Sequence, residues 1–153
     1  MSGTLTQMIE DLLANPTDPD VVRSLCDPDI TYVSLNFDNP DLKRIMPWTG
    51  TAHGPQAVID TYSQVGKYWK NHGLSITDRL ESSESAAVFG RFTYESNTQH
   101  RTVTSPFCIL IRVKHGKIVY MQFMEDTFGT ASTFKEAGTW TLQSDPAGKS
   151  IEV

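Results

Sequence analysis

Four long apolar stretches follow one another in the second half of the chain, and they constrain the fold more than any other feature. They run roughly over residues 74–82, 86–97, 101–114 and 117–128. The turns between them are short and polar, so we expect an antiparallel meander of four strands. Apolar residues occur on both faces of these strands, which indicates a sheet covered twice. Helices should cover one face, and a second copy of the protein is the simplest cover for the other.

The first half of the chain predicts the helices that would form this covering layer. Leu5, Met8, Ile9 and Leu12 recur at helical spacing, and Pro55 suits the first position of a later helix. The predicted segments are helices over residues 5–13, 19–25 and 55–73, a strand over residues 30–37, a long connection over residues 36–54 and a short helical segment over residues 128–137.

Composition and charge exclude several classes of protein. The 153 residues suffice for one domain, with 39% hydrophobic and 20% charged residues. A net charge of −5 and a pI near 5.2 argue against nucleic acid and anionic membrane partners. No apolar run is long enough to span a bilayer, and the N-terminal segment lacks the features of a signal peptide, so we predict a cytoplasmic protein. We expect one domain over residues 1–137 and a polar tail over residues 138–153.

The sequence predicts neither a metal site nor a cofactor. Cys26 and Cys108 are far apart and suit reduced packing residues. The four histidines are scattered, and no two stand at the spacing of metal ligands. Glycine-rich phosphate loops and dinucleotide fingerprints are absent from the sequence.

Two adjacent acids end the last long strand, in the segment KIVYMQFMEDTF of residues 117–128. Burying a carboxylate in apolar surroundings is costly unless the group is paired or neutralised. Strand alternation places Glu125 and Asp126 on opposite faces, so only one of them should point inward. Both faces are largely apolar, and alternation leaves open which acid that is.

The order of elements and two motifs resemble the nuclear transport factor 2-like superfamily, in particular its SnoaL-like and ketosteroid-isomerase-like branch. The first motif is WTGTAHGP over residues 48–55, and the second runs from GKI at 116–118 through EDTF at 125–128 to TAS at 130–132. The resemblance covers about residues 5–135. It implies an α+β fold, a cystatin-like α+β barrel, in which a cone-shaped, curved and mainly antiparallel sheet wraps around three helices of the N-terminal half. It also implies an apolar pocket open at one end and a homodimer through the convex face of the sheet.

The resemblance implies an acid near the end of the final strand as general base, and Asp126 is the first candidate. A desolvated carboxylate gains basicity and suits removal of a proton beside a carbonyl. The alternative is that Asp126 caps the helix that follows. His53 is the second catalytic candidate because histidine titrates near neutral pH, with helix capping or a solvated loop position as the alternative. Steroid isomerase relatives use a tyrosine from the first helix, and this chain has none there.

Aromatic and apolar residues supply candidates for binding a flat or hydrophobic ligand, and each of them also suits a core position. The tyrosines additionally offer hydroxyl groups to a ligand oxygen. The candidate substrate-binding residues are Tyr32, Trp48, Tyr62, Trp69, Tyr94, Phe107 and Met124.

Two functions from different classes therefore remain open. In the first, the protein is a cofactor-free isomerase, cyclase or hydrolase that uses an acid as general base on an apolar small molecule. In the second, the same fold binds a small molecule or a protein without chemistry. The distinguishing feature is a second polar group that converges on the acid, since one carboxylate cannot both remove a proton and stabilise the resulting negative charge.

Overall fold

The four predicted strands form the greater part of a six-stranded sheet. The computed structural model describes residues 4–153. Its elements in chain order are α1 Leu5–Ala14, α2 Pro19–Leu25, β1 Cys26–Ser34, α3 Pro40–Ile45, β2 Gly50–His53, α4 Pro55–Tyr68, β3 Trp69–Glu81, β4 Ser85–Ser96, β5 Thr102–Lys114, β6 Lys117–Glu125, α5 Thr127–Ser132, β7 Thr141–Leu142 and β8 Ile151–Glu152.

The sheet has the strand order β2-β1-β6-β5-β4-β3 and is open at both edges. All neighbours are antiparallel except β1 and β6, which run parallel. The first strand therefore lies between the edge strand β2 and the last long strand, β6. This arrangement is the mainly antiparallel α+β fold that the sequence predicts, with an unclosed, curved sheet.

The helices begin where the sequence supplies caps, and their apolar faces cover one side of the sheet. Thr4 Oγ1 accepts a hydrogen bond from the Gln7 amide at 3.2 Å, and Asp18 caps α2 ahead of Pro19. Helix α1 packs on β3, β4 and β5, whereas α4 packs on α2, β1 and β3. The core between these layers includes Ile9, Leu12, Val22, Val58, Val88, Ile109, Ile111 and Met121.

The boundaries differ from the predictions at several places, of which three bear on the site. The predicted connection over residues 36–54 contains a short helix, α3, and the edge strand β2. The third long helix ends at Tyr68 instead of Gly73, because Trp69 and the residues after it pair with β4. The first strand ends at Ser34, because Leu35 adopts a left-handed backbone conformation with φ of 67°.

The C-terminal segment adds a small second sheet. Strands β7 and β8 pair with each other, and Trp140 exchanges two backbone hydrogen bonds with Val153 at 2.8 and 2.9 Å. The Trp140 ring meets Phe128 of α5 edge-on, with 6.2 Å between ring centroids. This segment is therefore a hairpin beside α5, separate from the main sheet.

The outward face of the main sheet retains apolar side chains. Leu80 is 58% exposed, Phe89 45% and Met124 39%. Over residues 4–153, the structure has no helix with the length and apolarity needed to cross a bilayer. The outward face is thus the part of the sheet that helices leave uncovered.

Candidate active site

A small cavity lies between α4 and the ends of β1 and β6. It has a volume of about 20 Å³ open to the centre of a water molecule, which is room for about one water. The sheet, helix α4 and the segment before β2 each contribute to its wall. The lining residues are Ser34, Leu35, Trp48, Thr61, Tyr62, Val65, Trp69, Tyr94, Phe123 and Glu125.

Glu125 is the acid that points inward. It follows the buried residues Met121 and Phe123 at strand alternation, and it pairs across the ladder with the buried Phe107. The residue is half-buried as a whole, but its Oε2 atom is buried and has no hydrogen-bond partner. The structure thus answers the question that alternation alone leaves open.

The surroundings of Glu125 favour its neutral form. Burial raises the pKa of Glu125 to about 7, and the negative charge of Asp126 adds to the rise, while the Thr130 hydroxyl opposes it. A carboxyl group with a pKa near neutrality is matched to proton transfer at physiological pH. The site therefore contains a group that can both take and return a proton.

Three tyrosines surround this acid. Burial raises the pKa of Tyr94 to about 12, and the charge of Glu125 adds to the rise. Burial likewise raises the pKa values of Tyr32 and Tyr62 well above their ordinary range, with further contributions from Glu125. All three hydroxyls therefore stay protonated at neutral pH and are able to donate a hydrogen bond to a ligand.

The Tyr62 hydroxyl has no partner, although it is buried. It lies near the Tyr32 hydroxyl, and the polar interaction between the two hydroxyls contributes to the pKa of each, although their geometry falls outside that of a regular hydrogen bond. A buried hydroxyl without a partner is costly, and such groups are uncommon in folded proteins. The cavity wall thus carries an unpaired hydroxyl, on Tyr62, and an unpaired carboxyl oxygen, on Glu125.

Asp126 has a different position from its neighbour. It is exposed and caps α5, where its Oδ1 atom accepts a hydrogen bond from the Gly129 amide at 3.1 Å. Its own backbone amide donates to Ser105 Oγ at 2.9 Å. The geometry therefore matches the capping alternative, and it places the predicted general base outside the cavity wall.

His53 also lies away from the cavity. It is exposed at the end of β2, and its Nδ1 atom is 3.4 Å from Thr31 Oγ1. It is absent from the lining of the cavity. Its predicted catalytic role gains no geometric support.

The predicted substrate-binding residues divide into three groups. Trp48, Tyr62, Trp69 and Tyr94 line the cavity, and Tyr32 lies behind this wall with its hydroxyl near Tyr62. Phe107 is 3% exposed and stacks on Phe123, with 5.6 Å between centroids, so it supports the wall from the core. Met124 is on the outward face and cannot reach the cavity from there.

Several lining residues were missing from the sequence prediction. The sequence leaves the direction of Glu125 open, because its parity with Phe123 does not distinguish the two faces of the strand. Leu35 lines the cavity in a left-handed conformation directly after β1, and no local sequence pattern predicts that conformation. Ser34, Thr61 and Val65 are ordinary strand and helix residues whose position depends on how α4 packs against β1.

The site shows no arrangement suited to a metal. Among residues 4–153, histidine, cysteine, aspartate and glutamate side chains form no group of three that could hold an ion. The cavity lining carries one acid and no lysine, arginine or histidine. Its electrostatic character is therefore set by Glu125 and by neutral donors.

Comparison with known proteins identifies the family. A SnoaL-like domain model matches residues 5–121, so the chain belongs to the SnoaL-like domain family. The chain is 43% identical over 143 residues to patulin synthesis protein F of Aspergillus clavatus and 41% identical to patulin biosynthesis cluster protein F of Penicillium expansum. Each alignment covers 90% of this chain and 72% of the relative.

Solved structures show the same fold at low sequence identity. An NTF2-like protein from Burkholderia thailandensis has a TM-score of 0.73 at 17% identity, covering 88% of this chain and all of that one. TerC, co-crystallised with polyporic acid, has a TM-score of 0.68 at 19% identity, covering 84% and 95%. A protein with a ketosteroid isomerase-like fold from Catenulispora acidiphila, in complex with trimethylamine, has a TM-score of 0.60 at 16% identity, covering 78% and 85%. The predicted family and fold class are thereby confirmed.

Proposed function

We propose that this protein binds a neutral, largely apolar small molecule in the cavity and catalyses a cofactor-free proton transfer with Glu125 as general base. The observation that carries the proposal is that two polar groups without hydrogen-bond partners, Glu125 Oε2 and the Tyr62 hydroxyl, belong to residues that line the same aromatic cavity. A second polar group in the cavity of the acid supports catalysis over simple binding.

The chemistry follows from the state of each group. Glu125 removes a proton from carbon beside a carbonyl, and the electron pair of the broken C–H bond moves to the carbonyl oxygen. A tyrosine hydroxyl, Tyr62 foremost, donates a hydrogen bond to that developing oxyanion. Return of the proton from Glu125 to a different carbon completes an isomerisation. In a cyclisation, the enolate carbon would attack a second carbonyl carbon of the same molecule, the π electrons of that carbonyl would move to its oxygen, and that oxygen would take the proton from Glu125.

The charge of the lining supports a neutral ligand. An anionic ligand would meet no lysine, arginine or histidine in the wall, and the ionised form of Glu125 would repel it. The aromatic side chains Trp48, Trp69 and Tyr94 offer flat apolar surfaces instead. The ligand class that matches both features is a flat, uncharged carbonyl compound.

The cavity must expand to hold such a compound, because its present volume suits about one water. Trp48 belongs to the segment between α3 and β2, which is neither long helix nor central strand. Its ring meets Tyr68 and Trp69 edge-on at 5.0 and 5.2 Å. Movement of this segment would enlarge the cavity without disturbing the central strands.

The relatives support a role in small-molecule biosynthesis. Two proteins above 40% identity are named for patulin synthesis, and a structural neighbour was co-crystallised with polyporic acid. We place this chain in the same kind of metabolism, acting on a small organic intermediate. A cytoplasmic location and a domain over residues 1–137 with a separate C-terminal segment are part of this proposal.

The proposal includes a homodimer through the outward, convex face of the sheet. The exposed Leu80, Phe89 and Met124 support it, since an apolar sheet face without a helical layer is stabilised by a partner. Sedimentation equilibrium at micromolar concentration should give twice the chain mass of 17.1 kDa.

Deuterium exchange into 2-indanone, a flat carbon acid, tests the catalytic step. In D₂O, the wild type should accelerate exchange of the protons on the carbons beside the carbonyl of 2-indanone. Proton NMR measures the exchange rate. Glu125→Gln should reduce the catalysed rate at least about a hundredfold, and Tyr62→Phe by a similar factor. Asp126→Asn is the matched control and should stay within about threefold of the wild type.

Two results would contradict the assignment. If Asp126→Asn reduced the catalysed exchange rate as much as Glu125→Gln, the result would favour Asp126 as the general base. Binding of 2-indanone by the wild type without any accelerated exchange would support the alternative function, a binding protein without chemistry.

A further inference from the structure

A buried hydroxyl directly after α5 has no part in the proposed reaction. Thr133 is 3% exposed and is the C-cap residue of that helix. Its hydroxyl donates to the Thr130 carbonyl at 2.7 Å and accepts a hydrogen bond from the Trp69 indole nitrogen at 2.9 Å. A hydroxyl has a single hydrogen, so the bond to Thr130 leaves the oxygen lone pairs for the indole. The acceptor for Trp69 is therefore oriented before any ligand binds.

The strand register brings Trp69 and Ser96 to the same residue. The two stand opposite each other in the β3–β4 ladder. Trp69 donates to the Thr133 hydroxyl, and the Ser96 hydroxyl donates to the Thr133 carbonyl at 2.7 Å. Ser96 is fully buried, and its Oγ atom also accepts a hydrogen bond from the Arg101 amide at 3.3 Å. Thr133 is thus held at two separate atoms by a cross-strand pair, which leaves it little freedom to move.

The hydrogen bond to Thr133 reaches the cavity through Trp69. This tryptophan lines the cavity, and its ring contacts those of Tyr94 and Phe134 at centroid distances of 5.6 and 4.8 Å. An indole carries a single N–H, so the bond to Thr133 selects one orientation of the ring among the rotamers of the side chain. The surface that Trp69 offers to a ligand is consequently fixed by a residue outside the cavity lining.

We propose that Thr133 is a positioning residue, which fixes the Trp69 ring and thereby sets the preference of the cavity for flat ligands. This inference rests on the proposed function, because it concerns the ligand of the same cavity. A flat molecule gains most from an aromatic wall that is already held in one orientation, because little side-chain freedom is then lost on binding. A ring that is free to rotate accommodates bulky molecules better and flat molecules worse.

The test compares a flat ketone, 2-indanone, with a compact non-planar ketone, norcamphor. Isothermal titration calorimetry at pH 7 measures the two dissociation constants. The wild type should bind 2-indanone on the order of tenfold tighter than norcamphor. Thr133→Val removes the hydroxyl from a side chain of similar shape and should reduce that preference at least about fivefold. Thr133→Ser retains a hydroxyl and should keep the preference within about twofold of the wild type.

The indole N–H signal of Trp69 supplies a second measurement that needs no ligand. Comparison of ¹⁵N NMR spectra of the wild type and Trp69→Phe identifies this signal among the three tryptophans of the chain. In Thr133→Val, the Trp69 proton should shift upfield, because it loses its acceptor. Thr133→Ser should restore the wild-type position. An unchanged Trp69 signal in Thr133→Val would overturn the proposal, and so would an unchanged ligand preference or the absence of any preference in the wild type.

Ser132→Ala is the matched control within the same helix. The Ser132 hydroxyl donates to the Phe128 carbonyl at 2.6 Å and takes no part in the bond to Trp69. The variant should retain both the Trp69 signal and the preference for 2-indanone. Loss of that preference in Ser132→Ala as well as in Thr133→Val would mean that any disturbance of α5 alters the cavity, and it would contradict a specific role of Thr133.

Failure of this inference is distinguishable from failure of the proposed function. The ligand preference is a binding measurement and does not require catalysis, so the Thr133 variants decide the inference even if 2-indanone binds without exchange. Where exchange occurs, Thr133→Val should retain the pH midpoint of the wild-type exchange rate, because its hydroxyl orients Trp69 and not Glu125. A shifted midpoint would show that Thr133 acts on Glu125 through Thr130, and it would overturn the assignment to Trp69.

Discussion

The two faces of β6 differ although they alternate along one short strand. On the inward face, Phe123 packs against Phe107, and Glu125 reaches the cavity. On the outward face, Met124 is exposed, and Asp126 leaves the strand to cap α5. Neighbouring residues of the same chemical type thus meet opposite environments. The position of an acid on the strand, and not its identity, determines whether it lines the cavity or caps a helix in contact with solvent.

The largest expected effect on stability is at Phe123, on the inward face. It is 8% exposed and stacks on Phe107 with an interplanar angle of 5°. Phe123→Ala should lower the free energy of unfolding by about 3–5 kcal/mol, because it removes a buried ring and leaves a cavity. Urea unfolding at pH 7 measures the change. A loss below about 1 kcal/mol would show that the inward face of β6 is not part of the core.

The next effect concerns Glu125 and depends on pH. Its folded pKa of about 7 exceeds the ordinary value of 4.5, so the native state binds the proton more tightly than the unfolded chain. The stability that this proton contributes is full below pH 4.5 and is lost as pH rises through 7. Glu125→Gln should therefore match the wild type near pH 4 and be more stable at pH 8, by on the order of 2 kcal/mol after allowance for partial exposure.

Thermal or urea unfolding of both proteins from pH 4 to pH 8 checks this sign. Glu84→Gln is a control, because Glu84 is exposed in the turn between β3 and β4. A Glu125→Gln variant that is less stable than the wild type at pH 8 would mean that the carboxylate is ionised and paired in the folded protein.

The sequence predicted most of this fold but only part of the site. The meander and the amphipathic helices follow from local periodicity, and Asp18-Pro19 marks a helix start by its own chemistry. The inward direction of Glu125 could not be predicted, because Met121 and Phe123 on one face look no more buried than Ile118 and Met124 on the other. Gln122 shares the face of Asp126, and this single polar residue is only a weak indication that the face points outward.

The remaining unpredicted features depend on tertiary contacts. Trp69 belongs by local pattern to the helix before it, but pairing with Ser96 draws it into β3. Leu35 turns left-handed in a segment rich in strand-forming residues. Both residues line the cavity, so the site is assembled where the chain departs from its local preference.

Substitution of Asp126 should cause a smaller loss of folding stability, whereas Glu125→Gln should increase stability at pH 8. Asp126→Ala removes the acceptor for the Gly129 amide at the start of α5, and it should lower the free energy of unfolding by about 1 kcal/mol at pH 7. Asp126→Asn retains an acceptor oxygen and should recover most of that loss. Equal stability of the alanine variant and the wild type would remove the capping role.

The smallest effect on the folded chain is expected at Met124, on the outward face. Its side chain is 39% exposed, so Met124→Lys should change the free energy of unfolding of the single chain by no more than about 0.5 kcal/mol. The same charge placed in an apolar dimer interface is costly to desolvate, and it should shift the sedimentation mass from twice 17.1 kDa toward 17.1 kDa. Phe89→Lys, on the same face, should act alike, whereas His53→Lys at an exposed edge should leave assembly unchanged. A Met124→Lys protein that sediments as the wild-type dimer would locate the dimer interface elsewhere, and the two faces of β6 would then differ only in their burial within one chain.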